Sequence, residues 1–308
     1  MQINHNINAM ITQHALSLNN NAMGKSLEKL STGLKINRAQ DDAAGLAMSE
    51  QMRTQIRALG KAKQNCQDGI AALQIAEGGL AEISNIMQRQ RELAIQSAND
   101  TLTSTERKYL DLEFQELTRE IARIAKTTDY NGKNMLNYVD DPNLSFGAVD
   151  SSGKAASFTL HVGANYSGML GADGKYANEM TVTYTTITAD PKSGTVMVAG
   201  VTFGGADGLK ITSQTFATNS IDGIDKAIKS ISGVRAKIGT FINRLEYSIN
   251  NIASLEFNTQ DAESRIRDTD FAQATTDFTR NQILVQSATS MLAQANTLPQ
   301  TALTLING

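Results

Sequence analysis

Three histidines (His5, His14 and His161), one cysteine (Cys66) and the adjacent carboxylates Asp41 and Asp42 are the side chains most suited to chemistry. Histidine and cysteine hold a metal when they recur at short, fixed spacings, and neither an HExxH nor a CxxC pattern occurs. The histidines therefore read as solvated or hydrogen-bonded side chains. A carboxylate pair that shares a proton needs two groups facing each other. Neighbours on a helix do not face each other, so Asp41 and Asp42 read as a helix cap or as local hydrogen-bond acceptors. The run Gly204-Gly-Ala-Asp-Gly208 lacks the Lys-Ser/Thr that completes a phosphate loop, and reads as a turn. A single cysteine makes no disulfide within the chain. No catalytic residue, cofactor or metal is expected, and the chain reads as something other than an enzyme.

The elements that carry these residues are mostly helical. From Leu73, small or apolar residues alternate at spacings of three and four: Leu73, Ala76, Leu80, Ile83, Met87, with Gln90 as a polar exception before Ala94. The rhythm returns in Ile224, Ile228, Ile231, Ile238, Ile242, Leu245, Ile249 and Ile252, and again in Phe271, Ala274, Phe278, Val285, Ala288, Leu292 and Ala295. An average of 3.5 residues is the seam of helices wound around partner helices. The expected fold is mainly α: a long antiparallel helical rod or coiled coil of the N- and C-terminal segments, with a small β-rich insert. Residues 1–40 carry apolar residues at helical spacing (Ile3, Ile7, Met10, Ile11) among many Asn, Ser and Thr, which makes a marginal helix in isolation. The acidic pair at 41–42 suits a helix start, and the following helix is expected to run to about Ala98, with Gly60, Gly69, Gly78 and Gly79 weakening it. Thr103 and Glu106 form a capping box that opens a helix with Leu110, Phe114, Leu117, Ile121 and Ile124 on one face, closed by the Asn131-Gly132 turn. Alternation in Phe158-Thr-Leu-His-Val162 and Met180-Thr-Val-Thr-Tyr184 predicts strands within 138–217, and helix resumes near Ser220.

Composition excludes several classes. The 28 basic and 31 acidic residues give a formal net charge of −3, without the basic stripe of a nucleic-acid binder. No window approaches the ~18–20 apolar residues of a membrane span, and no charged, then apolar, leader opens the chain. The three prolines, Pro142, Pro191 and Pro299, leave two long stretches free for helices.

The residues also carry a family resemblance. Leu30-Ser-Thr-Gly-Leu-Lys-Ile-Asn-Arg-Ala-Gln-Asp-Asp-Ala-Ala-Gly-Leu-Ala-Met-Ser-Glu50 and Gln88-Arg-Gln-Arg-Glu-Leu-Ala-Ile-Gln-Ser-Ala-Asn99 resemble the N-terminal signatures of bacterial flagellins. Thr128-Asp-Tyr-Asn-Gly-Lys-Asn-Met-Leu136 is similar to the loop that ends their N-terminal region. Ala262-Glu-Ser-Arg-Ile-Arg-Asp-Thr-Asp270 and Ser290-Met-Leu-Ala-Gln-Ala-Asn296 resemble their C-terminal signature. The likeness covers about residues 1–138 and 218–308; in the middle only Val162-Gly-Ala-Asn165 carries it. Two departures stand out: Cys66, where flagellins usually have a small residue such as Ala, and the ending Leu305-Ile-Asn-Gly308.

The resemblance implies a filament subunit for swimming motility, with the hook–filament junction proteins as the alternative family. It implies terminal arms, 1–42 plus 268–308, that are disordered in the monomer and line the filament core after assembly. Residues 43–267 would form the rod, with 138–217 as a variable surface region. The assembly stripes would be Ile3, Ile7 and Met10 with Phe271, Phe278, Val285 and Leu292, plus a second row of Leu284, Met291, Leu298 and Leu305. The second row exceeds what one partner helix needs and reads as contact with neighbouring subunits. Arg89, Leu93 and Glu113 match the residues by which inflammatory flagellins engage the flagellin-sensing Toll-like receptor. Implied partners are further copies of the chain, an export chaperone and export apparatus, and hook-associated and cap proteins. Neither nucleic acid nor membrane insertion is expected. The implied location is the extracellular filament, reached through the flagellar secretion apparatus without a cleaved signal peptide.

Overall fold

The computed structural model describes residues 6–136, 155–163, 178–185, 187–190, 195–198, 201–203 and 208–307. Five helices dominate: α1 Ile7–Thr32, α2 Ala43–Ser97, α3 Ser104–Thr127, α4 Gln214–Arg267 and α5 Phe271–Asn307. The chain forms two compact units, Met1–Ile56 with Phe257–Gly308, and Arg57–Glu256. The sequence placed that division at residues 42 and 267. The units part within α2 and α4, so both helices contribute residues to each.

In the terminal unit α1 and α5 run antiparallel. The Asn6 side-chain amide donates to the Ala295 carbonyl (2.8 Å), and Asn281 donates to Ser26 Oγ (3.2 Å). Among the half-buried residues of α1, Ala9, Thr12, Leu16, Asn19, Met23, Ser26 and Leu30 form a row that alternates at three and four, with Ala22, Glu28 and Lys29 also half buried, and none of the residues of α1 is fully buried. Asn6 caps the start by accepting from the Ala9 amide. Gly33, in the left-handed region at φ 72°, closes the helix with its N–H on the Lys29 carbonyl. The chain then pairs antiparallel with the α4–α5 link: Lys35 N–H donates to the Arg267 carbonyl and Thr269 N–H to the Gly33 carbonyl. Asp42 caps α2 by accepting from the Gly45 amide (2.9 Å), while Asp41 accepts from the Asn37 and Arg38 amides. The pair is a cap and a loop clamp, as its adjacency required.

In the middle unit the three-four seam of α2 is fully sealed. Leu59, Ala62, Cys66, Gly69, Leu73, Ala76, Leu80, Ile83, Met87, Gln90, Ala94 and Ser97 are all buried. Against them α4 lays Ala217, Ser220, Ile224, Ala227, Ile231, Val234, Ile238, Leu245 and Ile252, again at heptad spacing. Ile228, Ile242 and Ile249 flank that row, half buried. Salt bridges Arg91–Asp225 (2.6 Å) and Arg235–Glu77 (3.5 Å) fix the two helices antiparallel. α3 completes a bundle with Phe114, Thr118, Ile121 and Ala125, and its capping box is present as the sequence predicts. Gln90 is held in the core by donating to the Phe114 carbonyl and to Thr118 Oγ1 (2.9 Å), while its Oε1 finds no partner among the described residues.

α2 continues through its glycines for a packing reason. A Cβ at Gly69 would collide with Leu160, and one at Gly79 would press on Leu136 and Thr128. The helix surface is stripped there so that other segments can lie on it. At 55 residues α2 is about 82 Å long at 1.5 Å per residue.

The strands form three small antiparallel sheets among the described residues. β1 Asp129–Tyr130 pairs with β2 Lys133–Asn134 across a turn in which Asn131 and Gly132 have φ 52° and 75°. β3 Ala155–His161 pairs with β4 Glu179–Thr185 through seven residue pairs, Phe158 opposite Val182. β5 Thr188–Asp190, β6 Thr195–Val198 and β7 Val201–Phe203 make a meander. Asn65 on α2 donates to the His161 carbonyl, which with Leu160 over Gly69 ties β3 to the helix. Helix resumes at Gln214, a turn and a half before Ser220, because the small residues Ala217 and Ser220 continue the buried row.

Candidate assembly surface

α1 and α5 carry a set of apolar side chains open to solvent, although the other helices also expose some, among them Leu112, Tyr247 and Phe257. Ile7, Met10, Ile11, Leu18 and Leu27 on α1 are 51–64% exposed, and Phe271, Ile283, Leu284 and Met291 on α5 are 42–62% exposed. Full burial of one such side chain is worth ~1.5–3 kcal/mol, so this outer face is a large unused reservoir. Phe278, Val285 and Leu292 are half buried in the inner row of α5, with Ala274 and Ala295 fully buried. The second row expected on α5 is thus set apart from the first: Leu284 and Met291 point outward while Val285 and Leu292 face α1. Ile3 lies outside the described residues, as do the side chains of Leu298 and Leu305. Leu18, Leu27 and Ile283 were not singled out by sequence. Their signal was available, since Ile7, Ile11 and Leu18 share one helix face.

Charge is concentrated at the foot of this unit. Arg267, whose side chain is mostly covered, reaches Glu50 at 2.7 Å, and Arg53 joins the same carboxylate at 3.1 Å. The Arg267 hydrogen bond holds the Glu50 carboxyl below its usual range, with the Arg53 charge adding to it. Arg38 pairs with Glu28 at 3.1 Å, and the Arg38 amide, with that of Asn37, keeps Asp41 below its ordinary value. Both carboxylates are solvent-facing, so these pairs orient the loop more than they stabilise it.

In the middle unit Arg89 and Glu113 meet. Arg89 Nε and Nη2 lie 3.0 and 2.9 Å from Glu113 Oε1, and Nη1 lies 3.2 Å from Glu92 Oε2. The Glu113 hydrogen bond raises the Arg89 pKa, with Glu92 second. Leu93 does not share this surface: it is 1% exposed, packed inside the bundle. The exposed part of the trio is Arg89 with Glu113. Cys66 is buried in the α2 seam, where burial pushes its thiol pKa up and removes thiolate reactivity. Among the described residues no group of three metal-binding side chains comes together, and no helix is long and apolar enough to cross a membrane.

Comparison with known proteins agrees with this architecture. The bacterial flagellin N-terminal helical region matches residues 3–140, and the bacterial flagellin C-terminal helical region matches residues 221–306. A flagellin of Halalkalibacterium halodurans is 42% identical over 306 residues, covering 99% of this chain and 100% of that protein. A flagellar filament 31.3 kDa core protein of Treponema maltophilum is 41% identical over 307 residues, with the same coverage. A solved structure of a flagellar hook-associated protein from Vibrio parahaemolyticus shares the fold at a TM-score of 0.54 and 14% identity, covering 74% of this chain and all of that one. Unlike that distant likeness, the match to flagellins runs through both helical ends at high identity, so the chain belongs to the bacterial flagellin family and is a structural subunit of the flagellar filament.

Proposed function

We propose that this flagellin polymerises through the outer faces of α1 and α5. The supporting observation is the row Ile7, Met10, Ile11, Leu18 with Ile283, Leu284 and Met291, which stays more than two-fifths exposed on helices already paired with each other. Residues 1–42 and 268–308 act as assembly arms that pay their ordering entropy from contacts with neighbouring copies. The segment 138–217, much of which lies outside the described residues, is assigned by this proposal to the outer surface of the polymer. The subunit reaches the cell exterior through the flagellar export apparatus, handed over by an export chaperone, and ends its polymer against hook-associated and cap proteins. Electron microscopy and sedimentation under polymerising salt test the arms. The full chain forms long filaments, whereas chains lacking residues 1–40, or everything after Arg267, remain soluble, helical and unpolymerised. Filaments of normal length from either truncation refute the assignment.

A second activity is supported by the Arg89–Glu113 pair, a solvent-facing fork on α2 and α3. This pair, backed by Leu93 from within, is a recognition site for the host flagellin-sensing Toll-like receptor on free subunits. In a reporter-cell assay Arg89→Ala monomer signals at least about tenfold more weakly than the unaltered monomer, with unchanged far-UV circular dichroism. An equal response leaves the pair as a surface ion pair only.

A further inference from the structure

The tip of the β1–β2 hairpin places an asparagine where it can react with its own backbone. Asn131 is exposed and is followed by Gly132, and both have positive φ, 52° and 75°. A Cβ built on Gly132 meets no atom within 4 Å, so the Gly132 amide nitrogen has no side chain of its own or of a neighbour over it there. The Gly132 N–H donates to Asp129 Oδ2 at 3.2 Å, and that carboxylate is itself exposed. Asn219, followed by Ser220, is different, because both residues lie inside α4. Beyond the turn the chain is tightly seated. The Asn134 side-chain amide donates to the Lys126 carbonyl at 2.7 Å, and its Oδ1 accepts from the Leu136 N–H at 3.0 Å. Met135 N–H donates to the Thr128 carbonyl at 3.0 Å. Met135 and Leu136 are buried, and Leu136 fills the space over Gly79 of α2. The hairpin thus seats a two-residue apolar plug on the core of the middle unit.

We propose that Asn131 is a site of spontaneous deamidation and isoaspartate formation, and that Asp129 is the lock that restrains it. The Gly132 nitrogen attacks Cγ of the Asn131 side chain and a new N–C bond forms. The bond from Cγ to the side-chain nitrogen breaks, and that nitrogen leaves as ammonia with the proton given up by Gly132. The product is a cyclic succinimide. Water then adds to one of its two carbonyls. Opening at Cγ leaves aspartate on the original backbone. Opening at the Asn131 main-chain carbonyl leaves isoaspartate, with the chain routed through the side chain and longer by one carbon. Water is the only co-reactant, which is why asparagine is a thermolabile residue. The attack needs the Gly132 nitrogen to release its proton and the Asn131 main chain to rotate. Asp129 opposes both by accepting that N–H on a carboxylate oxygen. An added backbone carbon does not fit a two-residue turn that holds Tyr130 opposite Lys133, so isoaspartate loosens the hairpin and with it the plug.

The test incubates the folded full chain in mildly alkaline buffer and follows its peptides by mass spectrometry, with an isoaspartyl methyltransferase reporting isoaspartate. Asn131 should convert while Asn219 persists. Asp129→Ala should convert about 2–10 times faster than the parent, the factor expected for one lost hydrogen bond. Parent chain in denaturant should also convert faster than folded parent, since the lock is open there. Hydrogen exchange at the Met135 and Leu136 amides should be about tenfold faster or more in the isoaspartyl protein. Asn131→Asp carries the new charge without the extra backbone carbon and should exchange like the parent. Conversion of Asn131 no faster than that of Asn219 in the folded chain overturns the site. Equal or slower conversion of Asp129→Ala overturns the lock. If that variant does not fold, the parent decides, and conversion no faster in denaturant overturns the lock. Isoaspartyl protein with parent-like exchange at Met135 and Leu136 overturns the link to the plug, as does Asn131→Asp exchanging as fast as the isoaspartyl form.

Discussion

The α2 seam from Leu59 to Ser97 and the inner row of α1 from Ala9 to Leu30 obey the same three-four spacing, yet one is sealed and the other half open. Spacing sets which residues face a partner; the opposite face decides whether that partner is sufficient. α3 carries ten charged residues in 24, alongside the exposed Tyr109 and Leu112. α5 carries two, Asp277 and Arg280, in 37 residues. A helix with so little charge and with Ile283, Leu284 and Met291 turned outward has a second face to cover. In the middle unit the seam itself is closed. In the terminal unit the seam leaves an apolar remainder.

The sharpest way to break this contrast is to truncate one leucine in each unit. Leu73→Ala opens a cavity in the sealed bundle and should cost about 2–5 kcal/mol of unfolding free energy, read from chemical denaturation. Leu284→Ala should change monomer stability by less than about 0.5 kcal/mol while raising the critical concentration for polymerisation. Similar monomer effects at both sites would erase the distinction between the units. Gly69→Val probes the close approach of β3: the added branches meet Leu160, and stability should fall by about 1–3 kcal/mol, with hydrogen exchange at β3 and β4 accelerated. An unperturbed β3 would mean that the helix surface was not cleared for the hairpin.

The smallest effect concerns pH. Arg267, with Arg53, holds the folded-state Glu50 carboxyl below its ordinary 4.5. A depressed carboxylate contributes stability that is fully present above that ordinary value and is lost as pH falls through the lowered folded value. Glu50→Gln should therefore lower Tm slightly at pH 6–7, with the gap to the parent shrinking below about pH 4.5. A gap that is constant into the acid range would show that Glu50 acts by shape and not by charge.

Much of this contrast was legible in the chain. The capping box Thr103–Glu106, the Asp42 cap and the strand pair around Phe158 and Val182 follow from local rules and appear where those rules put them. The inner row of α1 was not legible, because Thr12, Asn19 and Ser26 are polar and lie half buried for lack of a better face. Leu93 looked like a surface neighbour of Arg89 because the two are four residues apart, but α3 covers one and leaves the other open. The glycines of α2 looked like weak points since Leu160, which needs the space at Gly69, lies far along the chain. Rules of spacing see one helix at a time, and each of these misses involves a segment remote in sequence.

The antiparallel pairing of α1 with α5 also has a temporal side. Ribosomes make α1 first and α5 last, with on the order of 240 residues between Thr32 and Phe271. At ~5–20 residues per second, α1 waits about 10–50 s for its partner. During that interval the middle unit can close around its own seam, but no nascent chain can display the completed face. If these faces carry assembly as proposed, interrupted translation products lack α5 and with it half of the joining surface, so competence to join other copies would arrive only with the final stretch of synthesis.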